Sequence, residues 1–256
     1  MFACLHTLFS RYFWPIFLVL LSAALALVLW TVRPENVTYA EMACTFEERD
    51  PWCVDSIPAW REGLAFYDSS LSVTHDTLAT LKALLWDFWA IEFAGAGEGA
   101  VAHDAVLPLR VLETRRSGCL GLAWLAMMAA EARQIPLQVI LLPGHVFLRY
   151  GKDDGRAQVG FAPKTVNLEP NRRGYSYTDD EYRKKYRDGN WSGLEFKPLG
   201  AKELAGLAAF DIGNLYLDSD AGSALRWYRL AADLFPAYPG IRANQEIAKG
   251  RLPDRL

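Results

Sequence analysis

Apolar residues occupy this chain in distinct rhythms, and each rhythm predicts a different element. Between Thr77 and Phe93, the residues Leu78, Leu81, Leu85, Phe88 and Trp89 recur at helical spacing, which predicts a helix covering one side of a core. From Leu120 to Arg133 the chain is Leu, Ala and Met on nearly every side, with no Gly or Pro after Gly121, as a buried helix requires. Ile135-Pro136 ends that helix, because Pro removes a donor and restricts the residue before it. Leu137 to Leu142 is a short run of β-formers, Pro143-Gly144 bends the chain, and Val146 to Tyr150 resumes as strand. Lys152 to Gly155 reads as a hairpin turn, Ala157 to Phe161 as the next strand, and Val166 to Glu169 as a further one. The sum is an α+β core in which a helix packs on an antiparallel sheet.

A different pattern opens the chain. Tyr12 to Val32 carries no charged side chain and has Tyr12, Trp14 and Trp30 near its two ends, where interfacial aromatics belong. At about 1.5 Å per residue it reaches roughly 30 Å, the thickness of a bilayer core. Ala24-Leu25-Ala26 offers a small-residue cleavage site, but apolar sequence continues through Trp30, which favours an uncleaved transmembrane anchor over a signal peptide. Arg11 on one side and Arg33 and Arg49 on the other give charge little power to set the orientation. Cys44 and Cys53 lie close together beyond the span, as a disulfide-closed loop would, and tilt the globular part towards the periplasmic or extracellular side; two free thiols in a cytosolic linker are the alternative.

At the other end, Ala209 to Tyr216, then Ala224 to Tyr228 with Ala231 and Ala232, then Phe235-Pro236, resemble a tetratricopeptide unit. Ala243 follows Ala209 by about 34 residues, the repeat period. Gly213 and Ala224 would let paired helices approach and Pro236 would stop the second. One unit with a closing helix is too short for a long binding groove, so it is expected to pack on the core and shape a partner surface. An ordinary helical hairpin accounts for the same residues.

Composition narrows the function classes. The formal charge of -3 is spread without a basic face, which argues against nucleic acid as a partner. Arg172, Arg173, Arg183, Lys184, Lys185 and Arg187 are countered by Asp179, Asp180, Glu181 and Asp188, a solvated helix and loop. Gly95, Gly97 and Gly99 form a flexible break and no phosphate loop, since no Lys-Ser or Lys-Thr follows. His75 and His103 have no second His or Cys at ligand spacing and read as surface or capping residues; no metal site and no cofactor are expected.

The chemistry concentrates in three places: Gly118-Cys119-Leu120, Pro143-Gly144-His145 and Asn167-Leu168-Glu169-Pro170. A Cys just after Gly at the start of an apolar helix meets free N–H groups and the positive end of the helix dipole, which favour thiolate. A strand-borne His can hold the proton, and an acid on a neighbouring strand can fix the imidazole tautomer. Taken singly, each has a plain reading: Cys119 as a small buried hydrophobe, His145 as a core histidine, Glu169 as a loop charge.

The segments "GCLGLAWLAMMAAEARQIPLQVILLPGHVFLRY" and "VNLEPNRRGYSYTDDEYRKKY" resemble the transglutaminase-like superfamily in a bacterial branch. The resemblance spans Val111 to Tyr186 and implies a transglutaminase/papain-like core with Cys119 as nucleophile, His145 as base and Glu169 as acidic member. Two positions depart from the pattern: Gly121 stands where relatives often have Ser, and Glu169 where Asp is common. The organisation expected is a tail and anchor over 1–33, a helical region over 34–105, the core over 106–198 and the tetratricopeptide-like tail over 199–256. The function implied is a membrane-anchored, thiol-dependent hydrolase or acyl transferase acting on a protein or peptide. The alternative is a membrane-tethered interaction module that keeps the fold without the chemistry.

Overall fold

The computed structural model describes residues 37–95, 97–151 and 165–252. The apolar stretch from Tyr12 to Val32, Cys4, and the turn and strand expected over 152–161 lie outside the described residues. Among the described residues, no helix is long and apolar enough to cross a membrane.

The fold is built around the predicted buried helix. Helix α1 (Tyr39–Phe46) opens the described chain and is closed at its N-terminus by a capping box between Thr38 and Glu41. A disulfide joins Cys44 on α1 to Cys53, the first residue of the 3₁₀ turn Cys53–Ser56. Helices α2 (Pro58–Thr74) and α3 (Thr77–Ala83) follow. Asp76 caps α3 by accepting from the Ala79 N–H.

Here the chain departs from the expected helix to Phe93. The α-helical ladder gives way to a π turn over Leu84–Phe88, Ala90 takes a positive φ of 51°, and Glu92–Phe93 is a short strand, β1. Two tertiary contacts account for the break. Trp89 turns inward, stacks on Trp60 with centroids 5.8 Å apart and donates from Nε1 to the Ala59 carbonyl at 3.0 Å. Only glycine at position 63 leaves room for that indole, since a Cβ there would sit 2.3 Å from its Nε1. The released backbone then pairs with a later segment.

Short helices α4 (Glu98–Val101) and α5 (His103–Val106) and helix α6 (Pro108–Thr114) lead to strand β2 (Arg116–Ser117), which runs parallel to β1. Helix α7 (Cys119–Ala132) is next, with every residue from Leu120 to Ala130 buried. Its Trp124 donates to the Tyr39 carbonyl at 3.0 Å and so fixes α1 against it.

Strands β3 (Leu137–Leu142), β4 (His145–Tyr150) and β5 (Val166–Leu168) form an antiparallel sheet in that order. Leu142 pairs with His145 across a two-residue turn in which Gly144 adopts a φ of 63°. Both faces are covered. Val139, Leu141, Val146, Leu148 and Leu168 belong to the main core, while Ile140, Leu142 and Phe147 pack with Tyr182 on the other side. That double burial is why β3 and β4 read as nearly continuous apolar runs. The outer edge of β3 is covered by residues 196–199, whose Phe196 and Leu199 N–H groups donate to the Leu141 and Val139 carbonyls.

After β5 come the 3₁₀ turn Pro170–Arg172, helix α8 (Asp179–Lys185) and three further helices: α9 (Ala201–Tyr216), α10 (Ala221–Leu234) and α11 (Pro239–Gly250). The expected hairpin is therefore a hairpin with a third helix behind it. Gly213 admits the Tyr228 ring, Ala224 is fully buried, and α10 ends just before Pro236. From Val37 onward the described residues form one compact unit with a mixed helix-and-sheet core.

Candidate active site

Cys119 is the first residue of α7, with Gly118 at the N-cap in extended conformation. At that position its N–H has no acceptor within the helix. The approach to the helix is tight: the Gly118 N–H donates to the Ala105 carbonyl at 3.1 Å, and the Ser117 hydroxyl donates to the same oxygen at 3.1 Å. A Cβ on Gly118 would lie 2.1 Å from the Ala100 carbonyl, and one on Gly121 would lie 2.2 Å from the Ala105 carbonyl. Gly121 is thus dictated by the close passage of α5. Cys119 is partly exposed and is the free cysteine among the described residues.

His145 opens β4 directly after the Pro143-Gly144 turn and is 8% exposed. Its Nε2 lies 3.0 Å from Glu169 Oε2. A carboxylate offers no proton, so Nε2 carries the hydrogen of that bond and Nδ1 is the nitrogen left on the other side of the ring. In the β4–β5 register, Leu148 pairs with Leu168, which places Glu169 opposite Phe147 and diagonal to His145 on one face. Cys119 and His145 line one cavity of about 180 Å³ together with Leu141, Val146, Leu207, Phe210, Asp211, Asn214 and Tyr238.

Burial by itself would lower the His145 pKa. The charge and hydrogen bond of the neighbouring Cys119, followed by those of Glu169, outweigh it and raise the imidazole to about 10. Burial likewise works to raise the Glu169 carboxyl, but its bonds to His145, to the Asn171 N–H at 3.2 Å and to the Tyr182 hydroxyl at 3.1 Å bring it below the ordinary carboxylate value. The ring is held protonated and the acid ionised, an arrangement in which each charge stabilises the other.

Two residues to which the sequence reading gave no role in the site complete it. Tyr182 is fully buried, stacks on Phe147 at 4.3 Å and gives Glu169 its third hydrogen bond. Tyr186, one turn later, lies parallel to the His145 ring. Tyr182 is on the inner face of α8 and Tyr186 ends the helix, whose other positions are the charges that marked it as solvated; the i, i+4 spacing of two tyrosines among those charges was the available signal. The helix is clamped to the sheet by Arg149, which donates to Asn167 Oδ1 at 2.9 Å and to Asp179 at 2.6 Å, and by Asn167, which donates to Asp179 at 2.7 Å.

The other histidines stand apart. His75 is exposed and caps α2 at a φ of 53°. His103, expected at the surface or a cap, instead begins α5 half-buried, edge-on to Tyr216 and Trp227, with its Nε2 buried and without a hydrogen-bond partner among the described residues. The C-terminal helices cover it, a contact no local pattern announces. Among the described residues, no group of His, Cys, Asp and Glu has the arrangement of a metal site.

No curated protein and no solved structure matches the chain significantly. The family model of the transglutaminase-like superfamily matches residues 58–205, a span that contains α7, the whole sheet and α8. Since that match extends over more than half of its length, the chain belongs to the transglutaminase-like superfamily.

Proposed function

We propose that this protein is a membrane-tethered thiol enzyme that hydrolyses or transfers acyl groups at amide or peptide bonds, with Cys119 as nucleophile, His145 as proton carrier and Glu169 as its orienting acid. The observation that carries the reading is a division of labour on one ring: His145 shares a cavity with Cys119 while its Nε2 is held by Glu169. In the first half-reaction the Cys119 sulfur bonds to the acyl carbon, the C–N bond breaks, and the amine leaves with the proton from His145. In the second, water or an amine attacks the thioester, gives its proton to the imidazole, and the sulfur departs as thiolate. The unpaired Cys119 N–H at the helix start is the oxyanion donor.

Residues 12–32 are read as the anchor. The Cys44–Cys53 disulfide supports a globular part on the periplasmic or extracellular side, where such bonds persist. The helices α9 to α11 are read as a tetratricopeptide-like tail that packs on the core and offers a surface to a protein partner.

Iodoacetamide labelling of Cys119 at neutral pH tests the reading, with Cys119→Ser and His145→Ala as controls. Labelling faster than that of a free thiol, slowed by His145→Ala, is the expected result. Slow labelling of the folded protein, unaffected by His145→Ala, would overturn it and leave a tethered interaction module in its place.

A further inference from the structure

The cavity that contains Cys119 has a wall the sheet does not supply. Leu207, Phe210, Asp211 and Asn214 of α9 and Tyr238 before α11 close it from the C-terminal side. Between Leu204 and Tyr216, Asp211 is the only charged residue, set between Phe210 and Ile212. Its side chain is partly buried and lines the cavity. Burial pushes it up to about 7, and no cation among the described residues offsets that burial.

Asn214, one turn further on, is oriented by its neighbours. Its Oδ1 accepts from the Tyr228 hydroxyl and from Asn244 Nδ2, both at 2.8 Å. The acceptor side of the amide is therefore occupied and the –NH2 side is the one left for a ligand. Around Asp211 the titratable groups are Cys119 on α7, His145 on β4, Tyr228 on α10 and Tyr238, whose own environment includes Glu195. The His145 imidazolium is matched by the Glu169 carboxylate, so an ionised Asp211 adds a negative charge in excess. A partly buried carboxylate with no ion pair among the described residues gains from a cation that enters the cavity beside it.

We propose that Asp211 makes this cavity selective for substrates that carry a protonated amine beside the acyl group, the carboxylate holding the ammonium and the Asn214 amide donating to a neighbouring carbonyl. The proposal rests on the thiol-acyl reading above. The ammonium is recognised by residues beyond the family match, which ends at 205. The specificity of the site thus belongs to the C-terminal helices.

The test measures alkylation of Cys119 in the full chain in detergent by three reagents: cationic 2-bromoethylamine, neutral iodoacetamide and anionic iodoacetate. Each rate is divided by that of the same reagent with a small free thiol. At pH 8 the cationic reagent should be favoured over the neutral one by about tenfold and the anionic one disfavoured, the scale of one charge–charge interaction in a partly wet cavity. The preference should shrink in Asp211→Asn, and in the wild-type protein it should fall between pH 8 and pH 6 as Asp211 takes up a proton. His145, held protonated to about pH 10, does not change over that range. If Asp211→Asn does not fold, the wild-type pH course decides. A preference that is the same in both proteins and flat with pH would overturn the proposal alone. Failure of Cys119 to react with any of the three would overturn the thiol reading and this one with it.

Discussion

Tyr186 lies against the imidazole of His145, ring centroids 5.5 Å apart and planes within 9° of parallel. Its hydroxyl makes no hydrogen bond among the described residues, so the ring face is what matters. Aromatic pairs of this kind contribute about 0.5–1.5 kcal/mol beyond buried area. Tyr186→Ala should therefore slow Cys119 alkylation about three- to tenfold by loosening His145, while Tyr186→Phe should stay close to wild type. Stopped-flow or mass-spectrometric alkylation rates would check both; equal losses in the two variants would point to the hydroxyl instead.

The titration of His145 offers a direct reading of the site's charges. Cys119 raises the imidazole most and Glu169 next, against the lowering effect of burial. Cys119→Ser should bring the ring down from about 10 towards its ordinary range, and Glu169→Gln should do the same by a smaller amount. Ring proton shifts followed by NMR from pH 5 to 11 would show this, with His145→Gln identifying the resonance. An unshifted ring in the wild-type protein would remove the coupling.

Gly121 is a packing requirement with a measurable penalty. Its missing Cβ would lie 2.2 Å from the Ala105 carbonyl, 2.9 Å from Ser117 Oγ and 2.9 Å from Val111 Cγ2. Gly121→Ser should destabilise the fold by about 1–3 kcal/mol, towards the upper end because a backbone carbonyl cannot swing aside. Gly250→Ala, with open space around its Cβ, is the control and should lose nothing in urea denaturation.

The Cys44–Cys53 bond closes a loop with a sequence separation of 9 residues. Loop entropy of that size gives about 2–3 kcal/mol. The paired Cys44→Ser and Cys53→Ser change should lower the thermal midpoint by several degrees, and reductant should lower the wild-type value but not the variant's. A reductant-insensitive wild-type midpoint would mean the bond carries no stability.

Much of the core was legible in the chain because α7, β3 and β4 are buried on all sides, so their apolar runs are long and bounded by Pro136, Pro143 and Gly144. The positions of Cys119, His145 and Glu169 followed from those elements. What was not legible depends on partners distant in sequence. The helix expected to reach Phe93 ends early because Trp89 seeks Trp60 and Ala59 and because β1 pairs with β2. Tyr182 and Tyr186 were hidden by the charges around them. Asp211 was absorbed into a repeat pattern, although a lone carboxylate in an apolar helix is itself a signal.

Gly118 and Gly121 make their nearest approaches to the carbonyls of Ala100 and Ala105, so the start of α7, and with it Cys119, is indexed chiefly to a backbone. The exposed Asp104 can accordingly change identity with little effect on the thiol, whereas inserting or deleting a single residue over 100–105 would shift the rest on which α7 begins. In that stretch length is constrained more tightly than the identity of its exposed side chain.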